Sequence, residues 1–176
     1  MPINSSCDRT QTLHGWEITL IHPMSSSGVF SKVFQYDIVR VEDSPTSEQI
    51  DNILICLCPN ITDEERKGLL SSCCYTVYYD NGVCNTISDC SIDNTVPPPD
   101  VNLAECKGLR FNNIPSGEED AEQTHILVNL VLTEALSVGP VDIGFKAGSS
   151  ATSGVWEGIC GPVCRPVIPP TRGIIL

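Results

Sequence analysis

Short segments in which apolar residues alternate with polar ones recur along the chain. A period of two places alternate side chains on the same face of an extended backbone, so each segment predicts a half-buried β-strand. The segments with this alternation, or with a short apolar run, are residues 16–22, 33–41, 53–59, 75–79, 83–84, 108–114, 124–133, 141–146 and 155–160. Within 33–41 the alternation changes phase between Ile38 and Val39, which predicts a β-bulge.

Two local signals mark a turn and a helix. The sequence Asp-Asn-Gly at residues 80–82 separates two strand segments and predicts a hairpin with an Asn-Gly turn. Thr62 and Glu65 form a T-x-x-E capping box, which predicts a short helix running towards Leu70.

These elements predict an all-β protein, a β-sandwich or jelly roll of about eight or nine strands with one short helix and extended terminal arms. A chain of 176 residues fits one domain. We divide it into a polar N-terminal arm over residues 1–15, a single sandwich domain over 16–164 and a proline-rich tail over 165–176. Three prolines at 97–99 predict a stiff connection between the two halves of the sandwich.

The net charge of −12 excludes several classes of partner. No basic run is present, so a surface that follows nucleic-acid phosphates or anionic lipid is not expected. No apolar stretch approaches the roughly 20 residues of a membrane span. Residues 1–7 lack the cationic and apolar regions of a signal peptide, so either a natural leader was replaced or the protein is made in a cytoplasm and oxidised later.

Cysteine is the most unusual component, because a chain of this length can bury a core without cross-links. We expect disulfides that serve durability or assembly in an oxidising exterior, at the extracellular or the cell or spore surface. The spacings are not those of zinc knuckles and no histidine lies near, so we expect no metal. The candidates are Cys7, Cys56, Cys58, Cys73, Cys74, Cys84, Cys90, Cys106, Cys160 and Cys164.

Two pairs of neighbouring cysteines are expected to bond elsewhere. A bridge between the adjacent Cys73 and Cys74 would be strained, so each is expected to have its own partner. Cys56 and Cys58 alternate on one face of a strand and are also expected to have separate partners.

The two chain ends carry the candidate assembly residues. Cys7, Cys160 and Cys164 lie near the termini, where a bond to a neighbouring copy is geometrically easy. We expect Cys7 to join Cys160 or Cys164 of another copy, or else Cys73 or Cys74.

The tail is the second candidate for assembly. It ends on three aliphatic residues, Ile174, Ile175 and Leu176, which are costly to leave in water. They would fold back on their own domain or add a strand to an open edge of another copy.

Residues 138–148 (VGPVDIGFKAG) and 160–164 (CGPVC) resemble the C-terminal part of uncharacterised cysteine-containing surface or spore-associated β-proteins of spore-forming bacteria. Residues 53–59 with the capping box extend this resemblance, and no activity is implied by it. The layout, with Cys7 in a polar arm, is also similar to endospore appendage subunits. These are jelly-roll proteins whose N-terminal cysteines cross-link fibres, so the similarity implies a fibre-forming role.

Catalytic and ion-binding alternatives have less support. The chain has no G-x-S-x-G or H-E-x-x-H motif. Of the three histidines, His14, His22 and His125, the last two lie at strand ends, where a surface or edge position is expected. The acidic clusters at 118–122 and 42–43 contain oxygen ligands that suit calcium, but without an EF-hand pattern they read as solvated loops.

We therefore predict a structural subunit of an extracellular or spore-surface filament, with other copies of itself as partner. It would assemble by strand addition from a terminal arm and be locked by disulfides. We expect no enzyme activity and no cofactor. The alternative is a monomeric, disulfide-rich secreted binding module of adhesin or carbohydrate-binding type. Its glycan-stacking surface would come from Trp16, Trp156, Tyr75, Tyr78 and Tyr79, residues that on strands are more often core.

Overall fold

The structure is a computed structural model that describes residues 6–25, 28–41, 48–88, 90–93, 107–117, 121–148 and 152–164. Within these ranges it confirms an all-β protein with one short helix. The strands are β1 Thr10–Leu13, β2 Trp16–His22, β3 Phe30–Arg40, β4 Ile50–Cys56, β5 Leu70–Tyr79, β6 Cys84–Ile87, β7 Ser91–Asp93, β8 Gly108–Phe111, β9 Gln123–Ala147 and β10 Gly154–Val163, and the helix is α1 Asp63–Leu69.

All ten strands belong to one sheet whose pairings are antiparallel, and β9 is shared by its two halves. The first part of β9 pairs with β3 on one side and β5 on the other, so that Ile126 lies opposite both Ile38 and Val77. The second part pairs with β10 and β4, and Ile143 lies opposite Trp156 and Ile55. The first half of the sheet is therefore β1-β2-β3-β9-β5-β6, and the second half is β10-β9-β4-β8-β7.

Strand β9 merges the two segments 124–133 and 141–146, which the sequence predicts as separate strands. It extends over 25 residues because its partners change while its backbone stays extended. Pairing with β10 continues through Pro140, which lies opposite Cys160. Proline has no N–H to donate, yet it is tolerated here at an exposed position.

Both halves of the sheet pack against one core. Trp16, Ile18 and Leu20 of β2 are fully buried, as the alternation of apolar residues predicts. The ring of Tyr75 on β5 meets that of Phe111 on β8 edge-on, with centroids 5.6 Å apart, and thus joins the first half to the second. Burial of each such side chain contributes roughly 1.5–3 kcal/mol. The sandwich and jelly-roll topology remains a prediction.

The prediction of a β-bulge between Ile38 and Val39 is wrong. Ile38 lies opposite Ile18 and Val39 opposite Glu17, without a break in register. Val39 points outward and is 37% exposed. β-Branched residues are favoured in strands even on the outer face, and this explains why an apolar residue, Val39, occupies a position where the alternation would place a polar one.

Helix α1 begins at the predicted capping box. The Thr62 hydroxyl accepts a bond from the Glu65 backbone N–H, and the Glu65 carboxylate accepts one from the Thr62 backbone N–H. The carboxylate accepts from the Thr62 backbone N–H and also from the Thr62 hydroxyl, and these two bonds, the backbone one first, hold the pKa of Glu65 below its usual range. The buried Arg66 guanidinium donates to three backbone carbonyls between residues 57 and 61 at 2.6–3.0 Å, and so anchors the helix to the end of β4.

The predicted hairpin joins β5 to β6. Tyr79 N–H donates to the Val83 carbonyl at 3.0 Å, closing a loop over residues 80–82. Gly82 takes a φ of 82°, which the turn requires and which glycine adopts at little cost.

Candidate assembly site at the N-terminal segment

The structure pairs six of the predicted cysteines in three described bonds. Cα atoms lie 4.8 Å apart in Cys7–Cys160, 5.2 Å in Cys58–Cys164 and 6.2 Å in Cys73–Cys90, within the range for disulfides. Cys56 is also disulfide-bonded. In the described part of the chain Cys74 and Cys84 are free. Cys106 lies outside the described residues.

These bonds bear on two of the expectations. Cys7 pairs with Cys160, one of its expected partners, and it does so within the chain because the N-terminal residues reach β10 of their own sheet, while Cys164 pairs with Cys58. A bond between copies stays a prediction. Separate partners were expected for Cys73 and Cys74, but only Cys73 is bonded, because Cys74 lies on the other face of β5.

Residues 6–13, which we call the N-terminal segment, are docked between two strand edges. Asp8 forms an isolated parallel bridge with Ile159 of β10. Its backbone N–H donates to Gly158 O at 2.9 Å, and its carbonyl accepts from Cys160 N–H at 2.8 Å. The Cys7–Cys160 disulfide closes covalently over this contact, and Cys160 is fully buried.

The rest of the segment lies along β2. Arg9 O accepts from Leu20 N–H at 2.9 Å, and the Arg9 guanidinium donates to the carbonyls of Leu20 and Pro23. Thr10 then lies opposite Thr19, and their hydroxyls are 3.0 Å apart. The arm predicted over 1–15 thus contains strand β1 and links the β2 edge of the first half to the β10 edge of the second.

A tight turn connects the segment to the body of the sheet. Leu13 lies opposite Trp16, so His14 and Gly15 form a two-residue hairpin loop, with φ values of 48° and 80°. Positive φ values at both loop residues are typical of a type I′ turn. The left-handed conformation of His14, a residue with a Cβ, costs roughly 1–2 kcal/mol.

Among the described residues, the histidines form no recognisable reaction centre. His125 contacts the Asp37 carboxylate and stacks on Tyr78, with ring centroids 4.8 Å apart. Cys84 lies opposite Tyr78 in register, so the tyrosine separates this free thiol from the imidazole. Among the described residues no group of three or more His, Cys, Asp or Glu side chains could hold a metal.

The acidic residues predicted as solvated loops fall largely outside the description. Residues 42–43 and 118–120 lie outside the described residues, and Glu122 forms an ion pair with Arg40 at 2.8 Å. The tail residues Ile174, Ile175 and Leu176 and the prolines 97–99 also lie outside the described residues.

The aromatic surface needed by the binding-module alternative is not formed. Trp16 and Trp156 are fully buried, and Tyr75 and Tyr79 are buried as well, so four of the five side chains belong to the core. A cleft of about 250 Å³ beside the Cys58–Cys164 bond is below the usual size of a ligand pocket. A surface groove of about 730 Å³ at the start of β5 is lined by Lys67, Leu70, serine and cysteine residues, with no aromatic ring.

No protein-family model, curated protein or solved structure matches this chain. None of the described helices is long and apolar enough to cross a membrane. The fold and its bonds define a disulfide-stabilised all-β protein, which is compatible with an oxidising, extracellular environment.

Proposed function

We propose that the protein is a structural subunit of an extracellular or spore-surface filament, assembled by exchange of the N-terminal segment between copies. The supporting observation is the docking of this segment on β10 and β2 through strand-edge pairing and one disulfide. Every copy presents the same two edges. A segment from a neighbouring copy therefore finds the same bonds that it makes in its own chain.

The turn at His14 and Gly15 is the natural hinge for this exchange. Straightening it relieves the left-handed conformation of His14 and lets residues 6–13 leave as one unit. Each copy then donates one segment and accepts one. Such head-to-tail exchange builds an open filament when the rotation between copies does not close a ring.

A disulfide would make the contact between copies covalent, which weak strand-edge pairing alone does not. Copies carrying a net charge of −12 repel one another, and pairing by one short segment is a small interface. A Cys7–Cys160 bond between copies would make the exchange irreversible until a reductant is present. The resemblance of residues 138–148 and 160–164 to surface and spore-associated β-proteins agrees with this role. The proposal assigns no catalytic residue and no cofactor.

The experiment uses isotopic mixing. Chain labelled with ¹⁴N and chain labelled with ¹⁵N are reduced, mixed at equal and high concentration, reoxidised and digested without reductant. Exchange predicts Cys7–Cys160 peptides that carry one label of each kind, and a ladder of multiples of 19.1 kDa on a non-reducing gel. The Cys7→Ser variant should lose both, while Cys74→Ser, at a free cysteine, should keep them.

Peptides carrying a single label only, with a single monomer band, would refute the exchange. The binding-module alternative would then be tested against a glycan array.

A further inference from the structure

The first half of the sheet has one broad side that points away from the core. Side chains alternate between the two sides of a strand, and Ile18, Ile38 and Val77 point inward and are fully buried. Their neighbours along each strand therefore point outward. The strand pairings align six outward residues in one row across the sheet: Thr10, Thr19, Asp37, Leu127, Thr76 and Thr86. This row and the outward residues on either side of it form what we call the outer face.

Polar side chains of the outer face bond to one another across neighbouring strands. Two pairs of threonine hydroxyls lie within 3.0 Å of each other, Thr10 with Thr19 and Thr76 with Thr86. The Gln35 side-chain amide donates to the amide oxygen of Asn129 at 2.6 Å, and His125 contacts the Asp37 carboxylate. Polar groups that already have partners within the sheet lose less when water is removed from the face.

Apolar side chains fill positions between these pairs. Val33 lies opposite Val131, and Leu127 lies near the middle of the row. All three are half-buried, and Val39 is 37% exposed. Water therefore contacts apolar surface that a covering molecule would remove from it, and such removal favours association.

The outer face carries little of the charge of the chain. The sequence has 22 acidic and 10 basic residues. Among the outward residues that the described strand pairings place on this face, the carboxylates are those of Glu17 and Asp37, and Asp37 is in contact with His125. Two copies of an acidic chain repel one another where acidic surfaces meet. The outer face is therefore a surface on which a second copy can approach with little repulsion.

The size of the outer face matches what a specific dimer needs. Six strands about 4.8 Å apart, with outward residues that extend over about 20 Å along the central strands, give a footprint of roughly 500 Å². Two copies joined by this face would together bury about 1,000 Å², which is the lower limit for a specific interface.

We propose that two copies of the chain pack through their outer faces about a two-fold axis. The occupant is a second copy because it presents the same surface, equal in size and equally poor in charge. Sheets packed in this way lie about 10 Å apart, with their strands at an angle of about 30°. The interface is isologous and stops at a pair. It uses the broad side of the sheet, whereas segment exchange uses strand edges and Cys7, so each can fail without the other.

Sedimentation velocity of the oxidised chain tests the pairing, because a closed Cys7–Cys160 bond within each copy prevents segment exchange. The measurement uses a Cys84→Ser background, in which the exposed free thiol cannot cross-link copies. We expect a monomer–dimer equilibrium that added salt strengthens, since salt screens the repulsion between two acidic chains. A chain that stays monomeric up to about 1 mM, or a dimer that salt weakens, would overturn the proposal.

Two substitutions of the same kind locate the interface. Val39→Asp places a carboxylate on the outer face and should raise the dissociation constant of the dimer by about tenfold or more, because a charge that loses water without a partner is costly. Val83→Asp adds the same charge at a valine that is 53% exposed. Val83 lies opposite Tyr79, whose side chain is buried, so this control is on the other side of the sheet and should leave the constant unchanged. Equal effects of the two variants would contradict the pairing.

If Val39→Asp does not fold, NMR spectra of the Cys84→Ser chain at rising concentration decide. The methyl signals of Val33, Leu127 and Val131 should shift as the dimer forms, and those of Val83 should not. Equal shifts at all four residues, or none, would refute packing through the outer face.

Discussion

Removal of the Cys7–Cys160 bond should be the most destabilising change at the N-terminal segment. The two cysteines are 153 residues apart in sequence. The Cys58–Cys164 bond shortens the covalent path between them to about 55 residues, for which the chain-entropy relation gives a loss of about 4 kcal/mol in the free energy of unfolding. In a chain of this size that corresponds to a fall in Tm of roughly 8–16 °C.

The double variant Cys7→Ser/Cys160→Ala makes this change without burying a hydroxyl at the site of Cys160. Urea unfolding of the monomer, at low concentration and without reductant, would be followed by tryptophan fluorescence. Trp16 and Trp156 are suitable probes because both are fully buried and lie on β2 and β10, the two strands that the segment joins. The m value should rise, because the unfolded chain expands when it loses a cross-link.

Cys84→Ser is the matched control, since this exposed thiol is free. We expect it to change the stability by no more than about 0.5 kcal/mol. A loss below about 1 kcal/mol in the double variant, or an equal loss in the control, would refute the reasoning, because the bond would then not restrict the unfolded chain.

Three further predictions concern the helix and the core. Thr62→Ala should cost about 1 kcal/mol in urea unfolding. NMR titration should place the pKa of Glu65 below the ordinary glutamate value of 4.5, and in that variant the pKa should rise towards this value. Because the folded pKa is lowered, the stability that this carboxylate contributes is present above its unfolded pKa and is lost as the pH falls through its folded pKa. An unchanged Glu65 pKa in Thr62→Ala would contradict the capping box. Arg66→Met leaves three backbone carbonyls unpaired and should lower the free energy of unfolding by about 3 kcal/mol. Lys67→Ala, at an exposed residue, should change it little, and equal losses in the two variants would argue that Arg66 does not anchor the helix. Burial raises the pKa of Tyr36 far above 10.0, so stability should fall as pH rises past that value, and less so in Tyr36→Phe; identical alkaline curves for the two chains would exclude this cause.

Local signals predicted those elements whose hydrogen bonds join near neighbours. The capping box at Thr62 and Glu65 and the turn at 80–82 both depend on residues within five positions of one another. The buried faces of β2 and β3 were likewise predicted, because an alternating pattern identifies the side of a strand that faces the core.

Strand limits were less predictable where partners change. The sequence between 133 and 141 contains Gly139 and Pro140, and both favour a break. Pairing with β10 holds this stretch extended, so that β9 continues from Gln123 to Ala147. A tertiary contact here overrides local preference.

By itself the sequence determined the all-β class, the helix start, the hairpin and the use of cysteine for cross-linking. Each of these follows from composition or from a pattern among residues that are close in sequence. Only the tertiary structure decided which cysteines meet. Cys7 and Cys160 lie at opposite ends of the chain and are brought together by one parallel bridge at Asp8. That contact depends on where β2 and β10 come to lie in the folded sheet, and no local pattern encodes the distance between two strand edges.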